Sequence, residues 1–167
     1  PSPVPVLLSL LRAGLWGPSF PFSEGLFPCC ASTWESVYRL SCRQGVCGLA
    51  YEGLLRLPSS LLPPSPLLAR WVAAVDAIER KNLLSASVLS ELYPKFPVPP
   101  VLLKGQGVGR HYAVPHWREC GDIDLYVPSG PSFTVSCSVL ESLGAHPSAR
   151  ADGSVSCLWR GIELELH

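Results

Sequence analysis

The sequence carries no net charge and no long run of basic residues. Thirteen Lys and Arg side chains balance thirteen Asp and Glu side chains over 167 residues. Binding to nucleic acid or to an anionic membrane usually requires a concentrated positive field, so the composition gives no strong nucleic-acid signal. The chain also lacks methionine and begins with Pro1. We therefore expect a trimmed or altered N-terminus and leave the native first residue open.

The cysteines lack the spacing of a zinc site or of a disulfide framework. The seven cysteines are Cys29, Cys30, Cys42, Cys47, Cys120, Cys137 and Cys157. They form no C-x-x-C pair, and their number is odd. We therefore expect reduced, mostly buried thiols in a cytoplasmic protein, with a disulfide framework as the less favoured alternative.

No apolar run is long enough to cross a membrane. The most apolar stretch, residues 4–16, is interrupted by Arg12 and has no basic segment before it. It is also shorter than the ~20 residues that a membrane-spanning helix needs. Its leucines recur at helical spacing, which predicts a short amphipathic helix. We expect no membrane association.

The two halves of the sequence have different patterns. Residues 1–95 read as helices separated by proline-rich breaks, and the longest predicted helix, which carries one apolar stripe, covers 67–92. The pattern STWE at 32–35 predicts a capping box in which Ser32 opens a helix that continues to about Gln44. From residue 96 onward the pattern predicts a short buried strand at 101–103, a second strand at 123–127 and a helix at 133–143. Two further strands are predicted at 154–158 and 161–167, joined as a hairpin around Arg160-Gly161. We predict an α+β fold in which a helical N-terminal region, 1–95, packs on a small mixed β-sheet formed by 96–167.

The most informative motif is an alternation of acidic and apolar residues. Asp122 and Asp124 alternate with Ile123, Leu125 and Val127. In a strand, this pattern places both carboxylates on one face. Two such carboxylates offer hard oxygen ligands to a divalent cation, and their mutual repulsion also favours a cation between them. The alternative is an exposed strand face that carries two acids by chance.

The last predicted strand repeats this alternation with Glu163, Glu165 and His167. If it lies beside the first acidic strand, Glu163 or Glu165 supplies a third carboxylate. Three carboxylates on two strands could hold two Mg²⁺ ions that clamp a triphosphate. The alternative is a solvated edge strand. His167 shares the acidic face, either next to the metal ligands or as a disordered end.

A glycine-rich segment precedes the acids. Lys104 and Gly105 end a predicted strand, and Gly107 and a helical turn follow. Free backbone N–H groups at such a turn favour an anion, and Lys104 would add a point charge to a phosphate. The alternative is a glycine-rich turn with a surface lysine. Arg118 could bind a phosphate or pair with one of the aspartates.

The order of these motifs resembles the uncharacterised nucleotidyltransferase family, which belongs to the polymerase-beta-like nucleotidyltransferase superfamily. The matching segments are VLLKG at 101–105, Tyr112, R-x-x-GDIDL at 118–125, LGA at 143–145 and ELH at 165–167. The resemblance implies a polymerase-beta-like fold. It also implies metal-dependent transfer of a nucleoside monophosphate, from a nucleoside triphosphate such as ATP, to an unknown small-molecule or protein acceptor.

The resemblance also implies roles for particular residues. The catalytic residues would be Asp122, Asp124 and Glu165. The same three would bind Mg²⁺, with Glu163 as the fallback for the third acid. The nucleotide would be bound by Lys104, Gly105, Gly107 and Arg118.

Two features depart from the superfamily pattern. Lys104-Gly105 stands where the superfamily has Gly-Gly or Gly-Ser, and the gap to Asp122 is longer. The sequence also stops where the third acidic strand ends, so we expect a C-terminally incomplete core. The alternative function is therefore a catalytically inactive interaction module, such as one partner of a two-component system.

Overall fold

The computed structural model describes residues 2–19, 21–22, 25–128 and 130–167. Within these residues the helices are α1 Pro3–Trp16, α2 Ala31–Arg43, α3 Cys47–Leu54, α4 Ser65–Leu92, α5 Gln106–Gly109 and α6 Pro131–Ser142. The strands are β1 Val101–Leu102, β2 Ile123–Tyr126, β3 Ser148–Ala149, β4 Val155–Trp159 and β5 Ile162–Leu166. These strands form one mixed sheet, so the expected α+β class is confirmed. None of the described helices combines the length and apolar character needed to cross a bilayer.

The chain divides into two compact units. The first contains Pro1–Arg80 and His111–Glu119, and the second contains Lys81–Arg110 and Cys120–His167. Helix α4 contributes residues to both units. The boundary at residue 95 that the sequence suggested stays a prediction.

The core of the first unit is built around aromatic side chains. Trp34 and Trp71 are fully buried, with ring centroids 6.5 Å apart in an edge-to-face arrangement. Tyr38 also packs against Trp71. The buried indole N–H of Trp71 donates a hydrogen bond of 3.1 Å to the carbonyl oxygen of Cys47. This bond satisfies the polar atom of Trp71, so the large ring can lie in the core at little cost.

Helices α1 and α3 approach each other closely at two glycines. A Cβ atom on Gly53 would lie 2.0 Å from the carbonyl oxygen of Leu10, and one on Gly14 would lie 2.5 Å from that of Leu49. Both distances are far below van der Waals contact. The absence of a side chain at these positions therefore sets how closely the two backbones pack.

The sheet lies entirely in the second unit and has the order β1-β2-β5-β4-β3. Strands β2 and β5 are parallel, and the other neighbouring pairs are antiparallel. One face of the sheet, including Ile123 and Leu164, shares a buried core with Val88 and Leu92 of α4 and Leu140 of α6. Because side chains alternate along a strand, Asp124 and Glu165 are directed to the opposite face.

Two local expectations are wrong. Ser32 does not cap α2, because the helix starts at Ala31 and its N-cap position is Cys30. Segment 101–103 was expected to be a buried strand, but Val101 is 57% exposed. The reason is that β1 lies at the edge of the sheet and pairs with β2 alone. An apolar run does not by itself distinguish an edge strand from a central one.

The glycine contact in the first unit gives a stability prediction. We expect Gly53→Ala to lower the free energy of unfolding by about 1–3 kcal/mol, because the new methyl group would overlap the Leu10 backbone. Gly121→Ala is the control, since a Cβ atom there meets no atom within 4 Å. Urea unfolding of the three proteins measures both effects. Equal stability of Gly53→Ala and the parent protein would contradict the close approach.

Candidate active site

Two buried carboxylates lie side by side at the centre of the sheet. Asp124 on β2 and Glu165 on β5 are register partners on parallel strands. Asp124 is 1% exposed and Glu165 is 6% exposed. Removing two carboxylates from water is costly unless each finds a cation or hydrogen-bond donors. The neighbours of this pair therefore decide what the site can do.

Lys104 is the nearest cation to the aspartates. Its Nζ lies 3.0 Å from Oδ1 of Asp124 and 3.9 Å from Oδ1 of Asp122. The Leu103 N–H donates to the carbonyl oxygen of Asp124 at 3.0 Å, which places Lys104 directly beyond the edge strand. The hydrogen bond to Asp124, together with the charge of Asp122, raises the pKa of Lys104. The lysine side chain is 59% exposed and can therefore also reach an anion in solvent.

Glu165 is held by two donors. Ser154 Oγ lies 2.8 Å from its Oε1, and Arg150 donates to its Oε2 at 3.2 Å. The same guanidinium donates to Oε1 of Glu163 at 3.0 Å. A planar guanidinium that binds two carboxylates fixes their relative positions. Arg150 thereby orients the acidic face of β5.

His167 completes a compact group of metal-ligating side chains. Its Nε2 lies 3.3 Å from Oδ1 of Asp124 and 3.9 Å from Oε1 of Glu165. Three donor atoms, one each from Asp124, Glu165 and His167, lie within 4.8 Å of one another. The His167 backbone pairs with Leu125 and Val127 at 2.9 and 3.0 Å, which anchors it beside β2.

One oxygen of this group has no hydrogen-bond partner among the described residues. Oδ2 of Asp124 is buried and unpaired. A buried carboxylate oxygen without a partner is rare in folded proteins and requires an explanation. A divalent cation would provide one, because carboxylate oxygens are the ligands it prefers. The residues present therefore fit a bound metal ion.

The other predicted acids lie nearby but outside the compact group. Asp122 precedes β2, is partly exposed and contacts Lys104. Glu163 is exposed and contacts Arg150. Both line a cleft of about 470 Å³ together with Lys81 and Leu158. The structure thus brings the four acids to one part of the second unit, while the metal roles of Asp122 and Glu163 stay predictions.

The predicted phosphate-binding residues have different surroundings. Gly105 has a φ of 63°, and a Cβ atom there would lie 3.6 Å from the Asp122 carbonyl oxygen, so this glycine lies beside the acids. Gly107 faces Leu102, which gives it a packing contact with β1. Helix α5 has four residues, and so short a helix provides little positive field at its N-terminus. Nucleotide binding by these two glycines stays a prediction.

Arg118 belongs to the first unit, whereas the acids belong to the second. Within the first unit it lines a cavity of about 190 Å³ with Tyr112, Trp117 and Glu119. Its guanidinium also lies 3.5 Å from the carbonyl oxygen of Glu119. The phosphate role suggested for Arg118 therefore stays a prediction.

Sequence reasoning missed Arg150 and Ser154 and undervalued His167. Arg150 and Ser154 follow β3 and reach Glu165 from positions 15 and 11 residues away. Such contacts depend on the path of the β3–β4 connection, which has no signature in the sequence. One feature of the sequence could have indicated a basic partner such as Arg150. This feature is the acidic face of β5, because adjacent carboxylates require a nearby cation.

A buried carboxylate pair flanked by a partly exposed lysine is typical of proteins that bind a divalent cation and a phosphate ester. Residues 31–167 match the family described as uncharacterised nucleotidyltransferase, and the chain belongs to that family. The resemblance inferred from the motifs is thus confirmed, and the family indicates nucleotidyltransferase activity in general terms. Searches of curated proteins and of solved structures gave no significant match.

The ion pair of Lys104 gives a prediction for its titration. Because the pKa of Lys104 is raised above 10.5, the ion pair stabilises the fold below that pH and is lost as the pH rises through the folded-state pKa. In Asp124→Asn the pKa should fall towards its ordinary value. NMR titration of the lysine side-chain resonances measures this, with the Lys95 resonance as internal reference. An identical Lys104 titration in both proteins would contradict the ion pair.

Proposed function

We propose that this protein is a metal-dependent nucleotidyltransferase, which moves a nucleoside monophosphate from a nucleoside triphosphate such as ATP to an acceptor hydroxyl. The observation that carries the proposal is the buried pair of Asp124 and Glu165 on adjacent parallel strands, with Oδ2 of Asp124 unpaired. Family membership supports the same reaction class. In this proposal the sheet is of the polymerase-beta-like type, and segment 96–167 forms the catalytic core.

The proposal gives each acid a role. Asp122, Asp124 and Glu165 would hold Mg²⁺, with Glu163 at the side of the cleft. When bound, Mg²⁺ ions neutralise phosphate charge and lower the pKa of an attacking hydroxyl. Two ions are expected, because three or four carboxylates exceed the charge that one divalent cation balances.

Lys104 and Arg150 act on the two sides of this group of acids. Lys104 binds Asp124 and lies partly in solvent, so it can exchange that carboxylate for a phosphate oxygen. Arg150 binds Glu163 and Glu165 together and keeps their carboxylates in place. In this proposal Lys104 therefore contributes to substrate binding, and Arg150 orients the acids.

The acceptor is proposed as a small molecule or a protein. Lys81 and Leu158 line the cleft beside Asp122, and Leu158 is largely exposed. This mixture of a charged and an apolar side chain suits an organic acceptor with a polar group. We further propose that the protein works in the cytoplasm, because reduced cysteines are typical of that compartment.

One observation favours a second candidate, an inactive interaction module. Lys104 and Arg150 already bind three of the four acids at 3.0–3.2 Å, which would allow the fold to be stable with no metal ion. In that case the chain would keep the sheet and its charged network without turnover. A test of cation and nucleotide binding separates this candidate from the enzyme.

The direct test is binding of Mg²⁺ and ATP by calorimetry. We expect Asp124→Asn to weaken Mg²⁺-dependent ATP binding at least about tenfold, because a charged ligand is lost. Asp122→Asn is a second variant with a more exposed side chain, and Asp76→Asn on α4 is the matched control. Circular dichroism checks the fold of each variant. Unchanged binding in both site variants would reject the metal-dependent function.

Removal of the Lys104 side chain should have opposite effects on the affinities for Mg²⁺ and for ATP. In Lys104→Ala the acids lose a competing cation, so Mg²⁺ alone should bind more tightly than in the parent protein. ATP binding should weaken by about tenfold or more, because a charge-assisted contact is lost. Lys95→Ala is the control. If both affinities fall or both are unchanged, Lys104 does not exchange between the acids and the nucleotide.

A further inference from the structure

We propose that His167 is a metal ligand, and that Asp124, Glu165 and His167 together bind Mn²⁺ more tightly than Mg²⁺. This inference rests on the proposed function and deepens it, because it assigns a nitrogen ligand and a preferred cation to the same site. The observation behind it is the compact donor group that these three side chains form at the centre of the sheet.

The distances suit a single ion. Metal–ligand bonds of about 2.1 Å require donor atoms on opposite sides of an ion to lie no more than about 4.2 Å apart. The separations from His167 Nε2 to Oδ1 of Asp124 and to Oε1 of Glu165, 3.3 and 3.9 Å, already satisfy this limit. All three donor atoms lie within 4.8 Å of one another.

A second observation points to a ligand in this place. Among the described residues, Oδ2 of Asp124 has no hydrogen-bond partner, and Asp124 is only 1% exposed. Lys104 binds the other oxygen, Oδ1, so the lysine does not satisfy Oδ2. Each Glu165 oxygen has one donor, which leaves a lone pair on both. The buried oxygens thus keep the capacity to coordinate an ion.

The chemistry of the donor set decides which ion is preferred. Mg²⁺ selects oxygen ligands and retains its water, and an imidazole nitrogen contributes little to its affinity. Mn²⁺ also accepts carboxylate oxygens, and as a first-row transition ion it gains affinity from an imidazole nitrogen, although less than the later ions of that row do. Two carboxylates and one imidazole therefore favour Mn²⁺. A site made of Asp122, Asp124 and Glu165 alone would lack the nitrogen contribution to this preference.

The strand geometry keeps His167 in position for this role. Its backbone N–H donates to the Leu125 carbonyl oxygen, and its own carbonyl accepts from the Val127 N–H. These bonds continue the β2–β5 ladder beyond Leu166. The alternation of side chains then returns position 167 to the face that carries Glu165. The imidazole is thus presented to Asp124 by the backbone.

The test measures Mn²⁺ and Mg²⁺ binding without nucleotide, so that no nitrogen atom of a base can contribute. Pulsed electron paramagnetic resonance of bound Mn²⁺ should show coupling to an imidazole ¹⁴N nucleus. In His167→Gln this coupling should disappear, and Mn²⁺ affinity should fall at least about tenfold. The Mg²⁺ affinity of the variant should change by less than about threefold. His146→Gln, an exposed histidine, is the matched control.

The outcomes separate this inference from the proposed function. If Mn²⁺ binds without nitrogen coupling and no more tightly than Mg²⁺, the role of His167 is refuted, while metal-dependent ATP binding stands. If neither ion binds, with or without ATP, both proposals fall. If His167→Gln does not fold, the nitrogen coupling measured in the parent protein decides instead. Excess Mg²⁺ should abolish this coupling, because Mg²⁺ displaces Mn²⁺ only from a site that both ions share. Coupling that persists in excess Mg²⁺ would contradict the inference.

Discussion

The parallel pairing of β2 with β5 is the interaction on which the rest of the second unit depends. Its register places Ile123 beside Leu164 and Asp124 beside Glu165. The first pair belongs to the buried core that includes residues of α4 and α6, and the second pair lies on the opposite face. Because the side-chain period of a strand is two, a shift of one residue would bury the acids in the core. The same register therefore creates both the core and the site.

The negative charge of the acidic face is compensated by basic side chains from outside these two strands. Lys104 follows the edge strand β1, and Arg150 follows the edge strand β3. Each binds two of the four acids, Lys104 those of the β2 segment and Arg150 those of β5. The two outer strands thus bring cations to the acids at the centre. A buried carboxylate pair at the centre of a sheet is tolerated because of this arrangement.

Much of this architecture could be predicted from the sequence, because it follows from local patterns. The alternation around Asp124 and Glu165 predicted two acidic strands, and the turn at Arg160-Gly161 predicted the β4–β5 hairpin. The length and apolar stripe of α4 were also expected. Each of these features depends on residues close together in the chain.

The rest depends on contacts between distant residues. The sequence places Asp122 and Asp124 together, yet the compact donor group joins Asp124 to Glu165 and His167 from another strand. The reach of Arg150 depends on how the chain turns after β3, and no motif fixes that path. The exposure of Val101 follows from the strand order, which the sequence leaves open. Pairing between strands, and not propensity within them, decides these points.

Ser154 gives the site a small internal degree of freedom. Its hydroxyl oxygen lies 2.8 Å from Oδ1 of Asp152 and 2.8 Å from Oε1 of Glu165. A hydroxyl has one proton and can donate to one of these acceptors at a time. The Ser154 backbone N–H holds Asp152 at 3.0 Å in either case. When another partner neutralises the Glu165 carboxylate, the Ser154 hydroxyl can rotate and donate to Asp152 instead. The hydrogen-bond network then adapts by rotation about one bond, without movement of the backbone.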